Sequence, residues 1–343
     1  MSEPAQPLDG TPAARVLVAG ASGFTGALAA RLVWGHPRLE LAGVTARGEV
    51  GTPLSSLYPR HRVPLRLEEL DPDRASELDA AIVAYPHGAA APVVAALRER
   101  GLKVVDLSAD YRLRDRAEYG RWYGDHGAPE LASEAVYGLT ELYRERIAGA
   151  DLVANPGCYP TAAVLALAPL AEHGLLEDVV VDAKSGVSGA GRGGGERLHF
   201  VSVDENFSPY GTAGHRHRPE IAQELRALGA DVPVTFVPHL LPLDQGELVS
   251  CYVRPPTEPG DGEIEELYRE RYEGEPFVEL VDAPPGVRDV RDTNLCRIHL
   301  ARDDAAGRVI VFAAIDNLWK GASGQAMQNL NLMLGLPETE GLR

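Results

Sequence analysis

Arg15-Val-Leu-Val-Ala-Gly-Ala-Ser-Gly-Phe-Thr-Gly26 is the stretch that decides the fold of the N-terminal half. Arg15 to Ala19 is a short apolar strand, and Ala27 to Trp34 follows with the spacing of an amphipathic helix. Between them Gly20, Gly23 and Gly26 stand in G-x-x-G-x-x-G spacing. Such glycines permit a tight turn and close backbone approach to a pyrophosphate at a helix N-terminus. An ordinary tight turn carries glycines too, so the position between strand and helix is what favours a dinucleotide loop. The next apolar strand, Leu39 to Val44, ends in Thr45-Ala-Arg47 with no acid at its tip. An acid there would grip a ribose 2′-hydroxyl, whereas a hydroxyl and a guanidinium suit a 2′-phosphate, so NADP is expected over NAD.

The same unit repeats. Ala80 to Tyr85 reads as a strand entering Pro86-His87-Gly88, Ala90 to Arg100 as a helix, and Lys103 to Leu107 as a strand entering Ser108-Ala-Asp-Tyr-Arg112. Alternating strands and helices imply a parallel sheet with right-handed crossovers, a Rossmann-type α/β domain. Binding loops then gather at the carboxyl ends of the strands, where His87, Ser108 and Arg112 fall.

Residues 155–161 read Asn-Pro-Gly-Cys-Tyr-Pro-Thr and lead into an alanine-rich apolar run from Ala162 to Leu170. That arrangement sets a thiol at the mouth of a helix, where unpaired N–H groups favour a thiolate and a developing oxyanion. A buried core cysteine would not be ringed by Pro156, Gly157 and Pro160, so Cys158 is the expected nucleophile. Beyond it the pattern changes to strands at Val179 to Lys184, Gly246 to Arg254 and Leu295 to Leu300, with a mobile glycine-rich loop at Gly186 to Gly195 carrying Arg192. This is expected of an α+β second domain. Gly211-Thr-Ala-Gly-His-Arg-His-Arg-Pro-Glu220 opens another helix, with Pro219 in its first turn. His215 and His217 lack neighbouring carboxylates or thiols at metal-ligand spacing, so no metal is expected and a proton-transfer role is the better reading.

The 343 residues suit two domains, and the formal charge of −17 disfavours nucleic acid and anionic membranes as partners. Cys158, Cys251 and Cys296 are far apart and form no C-x-x-C pair, which argues against a disulfide framework or a cysteine metal site. No apolar run reaches membrane-spanning length, and Met1 to Pro12 lacks the apolar segment of a signal peptide, so a disordered tail and a cytoplasmic location are expected.

Several longer segments carry a resemblance: the Gly20 loop, Tyr85-Pro-His-Gly88, Asp106-Leu-Ser-Ala-Asp110, Val136-Tyr-Gly-Leu139, the Cys158 motif, Ser185-Gly-Val-Ser-Gly-Ala-Gly-Arg192, Gly214-His-Arg-His217 and Asp316-Asn-Leu-Trp-Lys-Gly-Ala-Ser-Gly-Gln325. Over nearly its whole length the chain resembles the N-acetyl-γ-glutamyl-phosphate reductase family of arginine biosynthesis, within the semialdehyde dehydrogenases. The resemblance implies that a thiolate displaces phosphate from an acyl phosphate and that NADP(H) reduces the resulting thioester to an aldehyde. It gives Cys158 as nucleophile and His217 as acid/base. Arg112, Arg192, His215, Arg216 and Glu220 are assigned to the substrate. Gly20, Ser22, Gly23, Phe24, Thr25, Gly26, Thr45, Arg47, His87, Ser108, Gly189 and Asn317 are assigned to the cofactor. It also implies discontinuous domains: a tail over 1–13, a dinucleotide-binding domain over 14–157 and 317–343 closed by a helix from Ser323 to Leu334, and a catalytic and oligomerisation domain over 158–316 that forms a homodimer or homotetramer.

Trp34-Gly-His-Pro37 and Tyr85 depart from the family pattern outside the expected chemistry, while Asp244 and Gln245, in Leu241-Pro-Leu-Asp-Gln-Gly246, depart from it beside the expected substrate. A sister enzyme acting on an aminoadipyl or glutamyl phosphate carried by an acidic protein is the nearest rival, and the acidity of this chain favours the free acetylated substrate. Aspartate-semialdehyde dehydrogenase matches fewer of the motifs. A non-catalytic NADP sensor would need neither the Cys158 turn nor the histidine segment.

Overall fold

The computed structural model describes residues 11–342 except Gly194 and Asp261. Residues 1–10 of the expected tail, and Gly194 of the expected glycine loop, lie outside the described residues. The chain forms two units, 1–156 with 322–343, and 157–321.

In the first unit, β1 (Ala14–Ala19), β2 (Leu39–Thr45), β3 (Ala80–Val83), β4 (Lys103–Asp106), β5 (Val136–Tyr137) and β6 (Leu152–Ala154) form one sheet in the order β2-β1-β3-β4-β6-β5. Every neighbouring pair is parallel. All four residues of β3 are fully buried, the uninterrupted apolar reading of a strand covered on both faces. Strand order reverses at β1, whose carboxyl end opens the Gly20 turn into α1 (Phe24–Trp34), so the turn stands at the switch point where open α/β sheets bind ligands. Helices α2 (Ala91–Arg98), α3 (Arg116–Tyr123) and α4 (Thr140–Ala148) follow along the chain.

The chain's last helix, α8 (Gly324–Met333), packs on α1, α4 and β4, although Gln325, Gln328, Asn329 and Asn331 are all fully buried in it. Their amide nitrogens are interior because they are paired. Gln325 Nε2 donates to Thr140 Oγ1 at 2.7 Å, Thr140 Oγ1 donates to Asn329 Oδ1 at 2.8 Å, and Asn329 Nδ2 donates to the Gly138 carbonyl and to Asn155 Oδ1.

The second unit holds β7 (Asp178–Gly186), β8 (Ser208–Pro209), β9 (Val234–Leu241), β10 (Glu247–Arg254), β11 (Val278–Leu280), β12 (Cys296–Asp303) and β13 (Arg308–Ile315). They form a mixed sheet in the order β11-β12-β13-β10-β7-β9-β8. Its longer helices are α5 (Cys158–Glu172), α6 (His217–Ala227) and α7 (Glu263–Tyr272).

Tyr159 to Ala171 of α5 are buried without exception against β10, β13, α6 and α7. Each fully buried leucine there, such as Leu165 and Leu167, contributes roughly 1.5–3 kcal/mol. Pro169 lacks the N–H that would bond the Leu165 carbonyl, and the Tyr272 hydroxyl donates to that carbonyl instead.

Three differences from the sequence reading have physical causes. Helix α5 begins at Cys158 itself, since the first turn needs no N–H partners and so tolerates Pro160. Strand β9 escapes notice because it contains Pro238; β8 covers only His239 and Leu240, which leaves most of β9 an edge where proline is tolerated. The chain returns to the first unit at Ala322 and not at Asn317, because Asp316 and Asn317 spend their side chains inside the second unit. Among the described residues no helix is long and apolar enough to cross a membrane.

Candidate active site

The three turn glycines of the first unit are not equivalent. A Cβ on Gly20, whose φ is +91°, would lie 2.7 Å from the Ala84 carbonyl oxygen, and one on Gly26 would lie 2.2 Å from the Gly20 oxygen. Both are required by the chain's own backbone. Around Gly23 the nearest atom is 3.8 Å away. Gly23 caps α1 without a side-chain hydrogen bond, and no acid occupies the first helical turn. An uncapped N-terminus with room where a Cβ would stand fits a pyrophosphate. Ser22 and Thr25 are held by their carbonyls, which accept from Tyr58 Oη and Ser323 Oγ at 2.8 Å each, and the Phe24 ring meets Tyr58 edge-on.

At the tip of β2, Thr45 is buried with its hydroxyl 3.4 Å from Tyr85 Oη. Arg47 is exposed, lies 5.0 Å over the Tyr85 ring and donates to the Ala89 carbonyl. Tyr85, which the sequence placed outside the chemistry, is therefore the shelf on which the 2′-phosphate candidate rests.

Other expected contacts point inward. His87 Nδ1 accepts the Ala109 N–H at 2.9 Å, and its ring meets Tyr123. Ser108 is 1% exposed and donates to Asp106 Oδ2 at 2.6 Å. Burial pushes Asp106 up to about 7, despite the hydrogen bonds from Ser108 that favour its charge. Arg112, expected to bind an anion, is buried with Nε on the Asn155 carbonyl at 2.7 Å and Nη2 on the Leu107 carbonyl at 2.8 Å. Its geometry is that of a backbone brace at the ends of β4 and β6.

In the second unit Cys158 is partly exposed, while Cys251 and Cys296 are buried, and burial pushes the Cys251 thiol up to about 12. The Cys158 thiol opens a helix with no acid in its first turn. Just ahead of it, the Gly157 N–H donates to Glu220 Oε1 at 2.9 Å. Glu220 is 1% exposed, so the carboxylate expected to meet substrate holds the nucleophile's own turn.

His215 is boxed by the rings of Tyr159, Tyr210, Phe236 and His217, at 6.1, 5.5, 5.3 and 4.8 Å. Burial, and then Arg216, lower its pKa to about 4, and its Nδ1 accepts the His217 N–H at 3.1 Å. His215 is thus neutral at pH 7. His217 is the first residue of α6, with its ring 5.8 Å from that of Tyr159. Arg192 and Arg216 are exposed.

In the same unit, Asn317 Nδ2 donates to Ser188 Oγ at 3.0 Å and its Oδ1 accepts the Gly246 N–H at 2.7 Å. Asn317 is 2% exposed, so the residue assigned to cofactor serves to lock two loops of this unit together, beside Gly189. Gln245, a departure noted in the sequence, has the matching duty and donates to Asp316 at 2.8 Å.

The sequence reading missed Glu247. It is fully buried, its carboxylate faces the Cys158 thiol and the Ser185 hydroxyl, and neither oxygen has a hydrogen bond of good geometry. Glu247, Val249, Cys251 and Val253 alternate along β10 and are all fully buried, and that alternation was the available signal. Among the described residues no group of three His, Cys, Asp or Glu side chains is placed to hold a metal ion.

Residues 15–150 match the semialdehyde dehydrogenase NAD binding domain, and residues 158–317 match the semialdehyde dehydrogenase dimerisation domain. The N-acetyl-gamma-glutamyl-phosphate reductase of Desulforudis audaxviator is 49% identical over 96% of this chain and 97% of its own length. That of Moorella thermoacetica is 48% identical over 95% and 96%. Aspartate semialdehyde dehydrogenase II of Vibrio cholerae, solved with ASA, shares the fold at a TM-score of 0.71 and 17% identity, covering 94% of this chain and 98% of that one. The Candida albicans aspartate semialdehyde dehydrogenase, solved with NADP, does so at 0.68 and 15%, covering 93% and 98%. The chain belongs to the semialdehyde dehydrogenase family, in its N-acetyl-γ-glutamyl-phosphate reductase branch.

Proposed function

We propose that this protein reduces N-acetyl-L-glutamyl 5-phosphate to N-acetyl-L-glutamate 5-semialdehyde and phosphate, using NADPH, as a cytoplasmic step of arginine biosynthesis. The observation that carries the reading is Cys158, a partly exposed thiol on the first residue of a buried helix, in a chain about half identical to reductases of that name. NADPH, when bound, supplies the hydride; Gly20, Ser22, Gly23, Phe24, Thr25 and Gly26 would hold its pyrophosphate, and Arg47 its 2′-phosphate.

The remaining chemistry belongs to side chains. The Cys158 sulfur attacks the acyl carbon, and the helix N-terminus stabilises the oxyanion that forms. Phosphate departs with the carbonyl-side C–O electron pair and takes a proton from His217. Hydride reduction of the Cys158 thioester gives a hemithioacetal, which collapses to aldehyde and thiolate. His215, neutral at pH 7, orients His217 through the 3.1 Å contact of its Nδ1 with the His217 N–H. Arg192 and Arg216, both exposed, are the guanidinium groups suited to the phosphate and carboxylate of the substrate. Arg112, Glu220 and Asn317 act as positioning residues.

Phe200, Val201 and Phe207 are 76, 87 and 55% exposed, a concentration of apolar surface in the second unit that supports assembly as a homodimer or homotetramer.

The test is phosphate-dependent NADP reduction with N-acetylglutamate semialdehyde, run beside carrier-linked aminoadipyl and glutamyl semialdehydes. Turnover of the free acetylated aldehyde is expected. Turnover of a carrier-linked aldehyde alone would move the protein to the sister reaction. Cys158→Ala should bind NADPH with wild-type affinity and lose turnover by at least about 10³-fold; a variant that kept its activity would sink the thioester route.

A further inference from the structure

Glu247 stands where a thiol enzyme of this kind has no obvious need of an acid. It lies at the start of β10, the central strand of the seven-stranded sheet, opposite Ser185 of β7 on one side and Ile315 of β13 on the other. The groups facing it from the surrounding elements are Cys158 and Tyr159 of α5, Ser185 of β7, Asp316 just beyond β13, and Tyr210. None is a cation, and no salt bridge reaches Glu247 among the described residues. A carboxylate so enclosed is expensive to keep charged unless a neighbour shares its proton. Cys158 is the neighbour whose proton must leave.

We propose that Glu247 is the proton partner of Cys158: its carboxylate takes the thiol proton when sulfur attacks and keeps it, as a neutral carboxyl hydrogen-bonded to sulfur, until the thiolate is released. The inference rests on the thioester route given above and adds a catalytic residue to it. In the first half-reaction the S–H bond breaks and its proton joins a Glu247 oxygen. The sulfur lone pair forms the S–C bond, and the pair of the C–O bond leaves with phosphate, which is protonated separately by His217. In the second half, the C–S pair returns to sulfur as the aldehyde forms, and the Glu247 proton is again available to the thiolate. No further reactant is required. Burial pushes Glu247 up to about 8, close enough to a thiol that the proton can move either way between them.

A pair that shares a proton titrates in two steps, and a lone thiol in one. The experiment is the rate of Cys158 alkylation by iodoacetamide against pH in the full chain, with the modified peptide identified by mass spectrometry. Alkylation needs no acyl phosphate, so this result and the substrate assignment can fail separately. We expect two rises in the wild type that persist in His217→Asn and merge into one in Glu247→Gln. In turnover, Glu247→Gln should lower kcat about 10²-fold with little change in KM, and Glu247→Asp should recover part of the loss. A single rise in the wild type, or two rises in Glu247→Gln, would overturn the proposal. Should Glu247→Gln fail to fold, the wild type still decides the matter: the infrared C=O band of a buried neutral carboxyl must grow as Cys158 is alkylated and its proton passes to Glu247, and an unmoved band refutes the pairing.

Discussion

Gly23→Ala and Gly26→Ala are the same chemical change three residues apart in one motif, and they should fail in opposite ways. At Gly26 the new Cβ would stand 2.2 Å from the Gly20 oxygen, where ordinary contact begins at 3.4 Å, a shortfall of 1.2 Å against backbone. Overpacking of that kind costs up to about 3 kcal/mol. In a unit of this size that lowers Tm by roughly 6–12 °C. At Gly23 the backbone is extended, with φ −82° and ψ 166°, and the nearest atom is 3.8 Å away. Alanine is a poorer helix cap than glycine, but it also restricts the unfolded chain, so the two effects offset to within about 1 kcal/mol. What Gly23→Ala removes is the space in which a phosphate reaches the first N–H groups of α1. Losing one such charge-assisted bond is worth about 1.5–3 kcal/mol, or roughly 10- to 100-fold in NADPH affinity. Thermal unfolding without nucleotide and an NADPH fluorescence titration read the two effects separately. A Gly23→Ala protein that binds NADPH like the wild type, or a Gly26→Ala protein that melts with it, would refute the division of the motif into structural and ligand-facing glycines.

Arg47→Glu should weaken NADPH binding by roughly 10- to 100-fold and leave NADH nearly unchanged, because only the 2′-phosphate is lost as a partner; equal losses for both cofactors would count against this site. Glu220→Ala leaves the Gly157 N–H without its carboxylate and should cost about 1–3 kcal/mol in urea unfolding, with Glu220→Gln retaining most of the stability; equal midpoints for Glu220→Ala and wild type would dismiss the brace. Asp106 holds its proton more tightly when folded, at about 7 against 3.8, so the native state binds the extra proton between those values. Its contribution is therefore present below pH 4 and is lost as pH rises towards 7. Asp106→Asn should flatten that part of the stability profile, and an unchanged slope would argue against a neutral Asp106.

What the sequence made legible was what several local signals agreed on. The strand, the glycine turn and the helix of residues 15–34 each support the same reading, and Cys158 was marked by prolines that no buried thiol would keep. Direction was harder. Ser108 and Arg112 were rightly placed at a strand end, yet a one-dimensional pattern does not say that Ser108 turns onto Asp106 or that Arg112 spends its guanidinium on the carbonyls of Asn155 and Leu107. Gln245 misled in the other direction, since it looked like a departure beside the substrate while doing structural duty beside Asp316.

Glu247 is the most instructive case, because two rules disagree over it. Charge assigns it to the surface, whereas its spacing with Val249, Cys251 and Val253 assigns it to the interior. Strand periodicity must win there: turning Glu247 outward by shifting the register would expose three fully buried apolar side chains. An acid carried inside by its strand must then find a partner or remain neutral, and the side chains it meets are a hydroxyl and the Cys158 thiol. The packing of β10 and the chemistry of Cys158 are therefore one constraint. Placing an aliphatic residue at position 247 should make the sheet more stable and the thiol a poorer nucleophile, a trade that a purely structural glutamate would not make.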